Sequence, residues 1–65
     1  MAKVISEFSV GNYMMLKLDD AIPSKEYTKY LIDGKEYAIV PVYDAVNCIA
    51  VESSDSFMGK TVIFE

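Results

Sequence analysis

The dipeptide Asp33-Gly34 restricts the fold more than any other feature, because it lies between two strand-like runs, Tyr27 to Ile32 and Lys35 to Val42. Asp and Gly readily adopt the positive φ angles that a type I′ turn requires. The pair therefore predicts a β-hairpin with a two-residue turn. The register of this hairpin places Tyr30 opposite Tyr37.

Four further runs are rich in the β-branched, aromatic and other apolar residues that strands favour. They span Lys3 to Val10, Tyr13 to Leu18, Cys48 to Glu52 and Thr61 to Phe64. Gly11-Asn12 separates the first two runs and suits a type II′ hairpin turn. The chain is thus predicted to be a single all-β domain over residues 1–65, a small antiparallel barrel or sandwich of five to six short strands. Such strands are typical of SH3-like and oligonucleotide-binding barrels, an analogy of fold that identifies no partner.

Two prolines interrupt the strand pattern. Pro23 lies in the longest irregular stretch, Asp19 to Lys25. One short helical turn near Pro23 stays an alternative, because several apolar side chains of residues 22–31 fall roughly on one helical face. Pro41 cannot donate a hydrogen bond to a ladder, so it predicts a bend at which the chain passes from one part of the sheet to another. A turn is expected over Tyr43 to Asn47.

Both faces of the Tyr27 to Val42 hairpin are largely apolar, whereas one layer of core covers only one face. Either the hairpin is central and covered on both sides, or one face is an interface. The second alternative favours self-association or a protein partner. The binding residues expected for this surface are Tyr27, Tyr30, Ile32, Tyr37 and Ile39. The residues expected to form the core are Val4, Phe8, Leu16, Leu18, Ile39, Val40, Ile49, Val51, Val62 and Phe64.

Composition argues against several classes of function. Cys48 is the only cysteine and the chain has no histidine, so neither a disulfide within one chain nor a Cys/His metal cluster is expected. Ten acidic and six basic residues give a net charge of −4, and every basic residue is a lysine. Nucleic-acid binding usually needs clustered basic charge and arginine, so this balance disfavours it.

The stretch Phe57-Met58-Gly59-Lys60-Thr61 resembles the end of a phosphate-binding P-loop, but the rest of that motif is missing. Ser54 stands where the first glycine of the motif belongs, and only four residues follow Thr61 in this sequence. A P-loop needs a helix at that point to hold the phosphates. The stretch therefore predicts a glycine turn before the last strand, and no nucleotide or other cofactor is expected.

The remaining candidate sites also have ordinary structural explanations. Asp19-Asp20 and the other scattered aspartates suit turns, where Asp bonds its neighbouring backbone, and no metal site is expected from them. Cys48 begins an apolar run, and such a cysteine is usually a small buried hydrophobe. Without histidine it has no imidazole base to activate it. No catalytic residue is therefore expected.

No motif in the sequence assigns a function. The best hypothesis is a small cytoplasmic protein–protein interaction module without catalytic activity. A single-stranded nucleic-acid-binding barrel is one alternative, based on lysines interleaved with Tyr27 and Tyr37. A subunit stabilised by self-association, with a structural role, is another. The longest apolar run, Ala38 to Tyr43, is far shorter than the roughly 18 residues of a membrane span, so no membrane partner is expected.

Overall fold

The computed structural model describes residues 2–42 and 46–65, in which six strands form one antiparallel sheet and no residue is helical. The strands are β1 (Ala2–Val10), β2 (Tyr13–Leu18), β3 (Lys29–Ile32), β4 (Lys35–Ala38), β5 (Cys48–Val51) and β6 (Thr61–Phe64). The predicted all-β class is confirmed. The alternative of a helical turn near Pro23 is wrong, because residues 21–28 are irregular. Within the described ranges, no helix is long and apolar enough to cross a membrane.

The strand order in the sheet is β4-β3-β6-β1-β2-β5, and all neighbouring strands are antiparallel. β6 pairs with both β1 and β3, so it joins the β3–β4 hairpin to the other three strands. β4 and β5 are the edges of the sheet. An isolated antiparallel bridge from Val40 to Ala50 connects the chain after β4 to β5, and the sheet is not closed. The predicted passage between parts of the sheet therefore occurs just before Pro41.

Both predicted hairpin turns have the expected backbone conformation. Asp33 and Gly34 have φ angles of 55° and 79°, as a type I′ turn requires. In the other turn, φ is positive (59°) at Gly11 but not at Asn12, which is the pattern of type II′. The strands of the β3–β4 hairpin are shorter than predicted, because β3 begins at Lys29 and β4 ends at Ala38. The turn expected over residues 43–47 falls largely outside the described residues.

The hydrophobic core lies on one side of the sheet. Seven of its predicted members are buried, namely Val4, Leu16, Leu18, Ile49, Val51, Val62 and Phe64. Ile39 is partly buried and packs against them, and Val40 is also half-buried. The core also contains Ala2, Tyr30, Ile32 and Phe57. Phe57 comes from the loop between β5 and β6, where no strand pattern marks it as an inward position.

Phe8 is the predicted core residue that lies outside, with 60% of its surface exposed. The β1–β2 register shifts directly after Val4, and Ile5 is the extra residue of a β-bulge. Successive side chains of a strand point to opposite faces, so one extra residue exchanges the faces of everything that follows. Val4 therefore points into the core and Phe8 points away from it.

The same bulge places the Glu7 side chain on the inner side, where it holds the loop before β6. The Phe57 backbone N–H donates to Oε1 of Glu7 at 2.7 Å, and the Ser56 hydroxyl donates to Oε2 at 2.6 Å. These two hydrogen bonds, that from Phe57 first, hold the pKa of the Glu7 carboxyl below its ordinary value. A carboxylate on the inner side of β1 thus anchors the loop that carries Phe57 into the core.

Candidate interaction surface

The outer side of β1, β2 and β5 carries a contiguous row of apolar side chains. Residues paired across antiparallel strands point to the same side of the sheet. Phe8 pairs with Met15, and Met15 pairs with Ala50. Ala50 in turn bridges to Val40. The row therefore crosses three strands and reaches the segment that follows β4.

A second apolar pair lies on the same side, two residues further along β1. Val10 pairs with Tyr13 next to the hairpin turn. Val10 is 52% exposed and Tyr13 is 38% exposed, so this pair adds to the exposed apolar area that Phe8 presents. Together these residues form what we call the outer apolar surface, defined as Phe8, Val10, Tyr13, Met15 and Val40.

A groove of about 270 Å³ runs over part of this surface. None of the described residues that line it carries a charge. They are Val10, Tyr13, Met15, Val40, Pro41, Val42 and Ala50. Pro41 thus lines the groove, and it also lies in the segment that follows β4. An uncharged groove of this kind suits an apolar side chain of a ligand or partner.

A separate cleft of about 380 Å³ lies along the open edge of the sheet. Residues of β4, the start of β2 and the residues after β5 line it. Its lining residues are Tyr13, Lys35, Glu36, Tyr37, Ala38, Val40, Glu52 and Ser53. Tyr13 and Val40 line both the cleft and the groove. The two hollows therefore adjoin at these residues, and we call this cleft the edge cleft.

Another hollow, of about 530 Å³, lies beside the Gly11-Asn12 turn and has a different character. Its lining is rich in small polar residues and includes Ser9, Ser53 and Ser54. Among the described residues that line it, Glu52 is the one ionisable residue.

The five residues expected to form an interaction surface lie on the core side of the sheet. Tyr30 and Ile32 are 2% and 1% exposed, so they are core residues and not surface residues. Tyr27, Tyr37 and Ile39 are half-buried and pack against the core. The expectation of an exposed tyrosine face is corrected for Tyr30 and Ile32, because the face that carries them is the one that the single core layer covers.

Aromatic packing accounts for these tyrosines. The Tyr30 ring lies edge-on to the Phe64 ring, with 5.5 Å between the ring centroids. The centroid of the Tyr27 ring lies 5.0 Å from that of Phe64. Tyr37 lies edge-on to Phe57 at 5.4 Å. Burial, with a smaller effect of Tyr27, raises the pKa of Tyr30 to about 12. The phenol of Tyr30 is therefore neutral over the physiological range, and its ring face is not open for stacking with a base.

The stretch Phe57 to Thr61, which resembles the end of a phosphate-binding loop, forms the expected turn. Gly59 has a φ angle of 76° and donates its N–H to the Val4 carbonyl at 3.0 Å. Thr61 begins β6, a strand and not a helix. The Lys60 ammonium lies 3.2 Å from Oδ2 of Asp33 in an exposed ion pair. The glycine turn before the last strand is thus confirmed.

Aspartates and Cys48 also take ordinary structural positions. Asp19 accepts a hydrogen bond from the Lys3 N–H at 2.8 Å, and Asp20 accepts one from the Ala21 N–H at 2.8 Å. Among residues 2–42 and 46–65, no three His, Cys, Asp or Glu side chains lie together as metal ligands would. Cys48 is partly buried, with its Sγ 3.9 Å from Oδ1 of Asn47.

The outer apolar surface was not found from the sequence, because the alternation of β1 places Phe8 and Val4 on one face. Only the bulge at Ile5 separates them, and no Gly or Pro marks it.

Neither a family model, nor a curated protein, nor a solved structure matches this chain.

Proposed function

We propose that this protein is a non-catalytic module that binds another protein through the outer apolar surface. The observation that carries the proposal is the exposure of Phe8, Val10 and Tyr13 on adjacent strands, at 60%, 52% and 38%. Single exposed apolar residues are common, but contiguous ones rimmed by polar residues mark interaction sites. Phe8 and Tyr13 are also aromatic, a residue class that is enriched at interfaces.

The apolar area alone supports a weak complex. Burying the exposed parts of these three side chains contributes about 1 kcal/mol each, or roughly 2–4 kcal/mol together. A micromolar complex requires about 8 kcal/mol. The outer apolar surface therefore needs further contacts, and the adjoining edge cleft is the nearest place to find them.

We also propose that the sheet curls towards an incompletely closed barrel. The bridge between Val40 and Ala50 supports this, because it connects the continuation of one edge strand to the other edge strand. A cytoplasmic location is proposed with it. The support is the single cysteine, since small secreted domains usually rely on several disulfides.

Affinity capture from a cell lysate with three forms of the protein tests the binding proposal. These are the wild type, Phe8→Ser and the control Ile63→Ser. Ile63 is 40% exposed and pairs with Leu31 on the other half of the sheet. We expect proteins that are retained by the wild type and by Ile63→Ser to be lost with Phe8→Ser, with both variants as well folded as the wild type.

The capture experiment, together with light scattering, separates the alternatives. Recovery of RNA or DNA in place of protein would support the nucleic-acid alternative. A dimer of the wild type in light scattering that Phe8→Ser converts to a monomer would support self-association through this surface. Retention of the same proteins by the wild type and Phe8→Ser would contradict the proposal.

A further inference from the structure

The edge strand β4 offers backbone hydrogen-bonding groups that the sheet does not use. Among the described residues, β4 pairs with β3 alone. In a hairpin with a two-residue turn, the residues that flank the turn, Ile32 and Lys35, form the first hydrogen-bonded pair. Hydrogen bonding alternates along the strand, so Glu36 and Ala38 direct their N–H and C=O groups away from β3.

These groups face the edge cleft. Glu36 and Ala38 are both exposed, and both line this cleft of about 380 Å³. Tyr13, Glu52 and Ser53, which lie outside β4, also line it. A row of unpaired amide and carbonyl groups along a hollow is what an extended backbone recognises when it adds to a sheet.

The edge cleft also determines what side chains such a backbone carries. The side chains of an added strand alternate between the two faces of the sheet. Those on the outer face would meet Tyr13 and Val40, which the cleft shares with the uncharged groove. An apolar side chain at alternate positions is therefore complementary to this side.

We propose that an extended peptide segment of a partner protein adds to β4 as a further strand, in the edge cleft, with apolar side chains at alternate positions on the outer apolar surface. The proposal rests on the proposed protein-binding function and names the form of the ligand. Main-chain hydrogen bonds to Glu36 and Ala38 supply the contacts that the apolar surface alone lacks.

A second copy of this chain is the competing occupant, and the geometry favours it less. Two copies would bring together two chains that each carry a net charge of −4. The volume of the edge cleft is near the lower end of the range for ligand pockets, which is about 300–1,000 Å³. That size suits one short extended segment and not the edge of a second folded chain.

The test uses a displayed library of random linear dodecapeptides, selected on the immobilised wild-type protein. Selected peptides are then titrated by fluorescence anisotropy against the wild type, Ala38→Pro, Ala38→Ser and Phe8→Ser. Proline at position 38 removes the N–H that faces the edge cleft and leaves the bonds to β3 in place. Serine at the same position keeps that N–H and is the matched control.

We expect Ala38→Pro to weaken peptide binding about tenfold or more, because it removes a hydrogen bond and leaves its acceptor unsatisfied. Ala38→Ser is expected to bind within about twofold of the wild type. Peptides N-methylated at alternate residues should lose binding to the wild-type protein. This second measurement needs no variant, so it holds even if Ala38→Pro fails to fold.

The proposal would be overturned if no peptide were selected. It would also be overturned if the selected peptides bound folded Ala38→Pro as tightly as the wild type and if N-methylation did not weaken their binding to the wild type. Loss of binding with Phe8→Ser but not with Ala38→Pro would overturn the edge strand as the site and leave the proposed function standing. A wild-type dimer that Ala38→Pro abolishes would overturn the choice of a partner peptide in favour of a second copy.

Discussion

Phe57 enters the core from a loop, and its position depends on Glu7. The side chain is 2% exposed and contacts the Tyr37 ring, so it closes the core beneath the β3–β4 hairpin. A loop residue needs a specific contact to hold it, since no ladder fixes its backbone. The hydrogen bond of 2.7 Å from its N–H to the Glu7 carboxylate is that contact.

Alanine substitutions at Phe57 and Phe8 should differ greatly in their effect on stability, although both residues are phenylalanines in apolar contexts. Phe57→Ala leaves a cavity in the core and should lower the free energy of unfolding by about 3–5 kcal/mol. That cost is similar to the whole stability of about 3–5 kcal/mol that one core of this size supplies. Phe8→Ala should change it by less than about 0.5 kcal/mol. Urea denaturation followed by circular dichroism measures both, and equal costs would contradict this assignment of the two side chains.

The stability of the fold should depend on pH through Glu7. Because the hydrogen bonds from Phe57 and then Ser56 lower the pKa of this carboxyl in the folded state, the ionised form favours folding. Its contribution is fully present above about pH 4.5 and is lost as the pH falls through the lower folded-state pKa.

Glu7→Gln should therefore lower the melting temperature at neutral pH and reduce its fall upon acidification. Thermal unfolding between neutral and strongly acidic pH measures this. Glu26→Gln is the control, since it removes an equal charge from an exposed residue. If Glu7→Gln and Glu26→Gln give the same pH profile, the Glu7 carboxylate does not anchor the loop.

The two hairpins of the sheet could be predicted because their determinants are local. The φ angles of Gly11, Asp33 and Gly34 follow from residue type, and each turn sets the register of the strands beside it. Bulges are different, because Ile5 is an ordinary strand residue by type. Its extra position reflects the packing of Val4 and Glu7 on the inner side, which involves residues more than 40 positions away.

Gly34→Ala should destabilise the β3–β4 hairpin through the backbone alone. The φ angle of 79° is unfavourable for a residue with a Cβ, while a Cβ built at this position meets no atom within 4 Å. The expected cost in unfolding free energy is about 1–2 kcal/mol. Gly34→Asn should cost less, because asparagine tolerates this conformation better. Chemical denaturation of the two variants measures the difference, and an unchanged midpoint for Gly34→Ala would exclude this strain.

Local sequence patterns do not predict the order of the strands in the whole sheet. β6 comes last among the strands and yet lies third in the sheet, between β3 and β1. Its pairing with β1 joins residues 2–3 to residues 61–62, and nothing in the composition of either strand selects the other. The candidate surface shares this origin, because it depends on the bridge between Val40 and Ala50, which connects the segment after β4 to β5 at the other edge of the strand order.

β6 therefore holds the molecule together, and its removal should unfold the whole chain. Ile32, Val62 and Ala2 form one row of buried side chains across β3, β6 and β1. Deleting residues 61–65 removes this row and both ladders that join the two parts of the sheet. Neither remaining part keeps a covered apolar face, and a two-stranded hairpin alone is marginally stable at best in water. Partial unfolding with an intact β1–β2–β5 unit is thus not expected.

The deletion variant should show no cooperative thermal transition in circular dichroism, and its backbone amides should lose protection from hydrogen exchange in all strands. Ile63→Ser is the matched control, because it changes an outward side chain of β6 and keeps every ladder hydrogen bond. It should unfold cooperatively, within about 0.5 kcal/mol of the wild type. Persistent amide protection confined to β1, β2 and β5 in the deletion variant would mean that these strands form a unit of their own, and the sheet would not be a single cooperative structure.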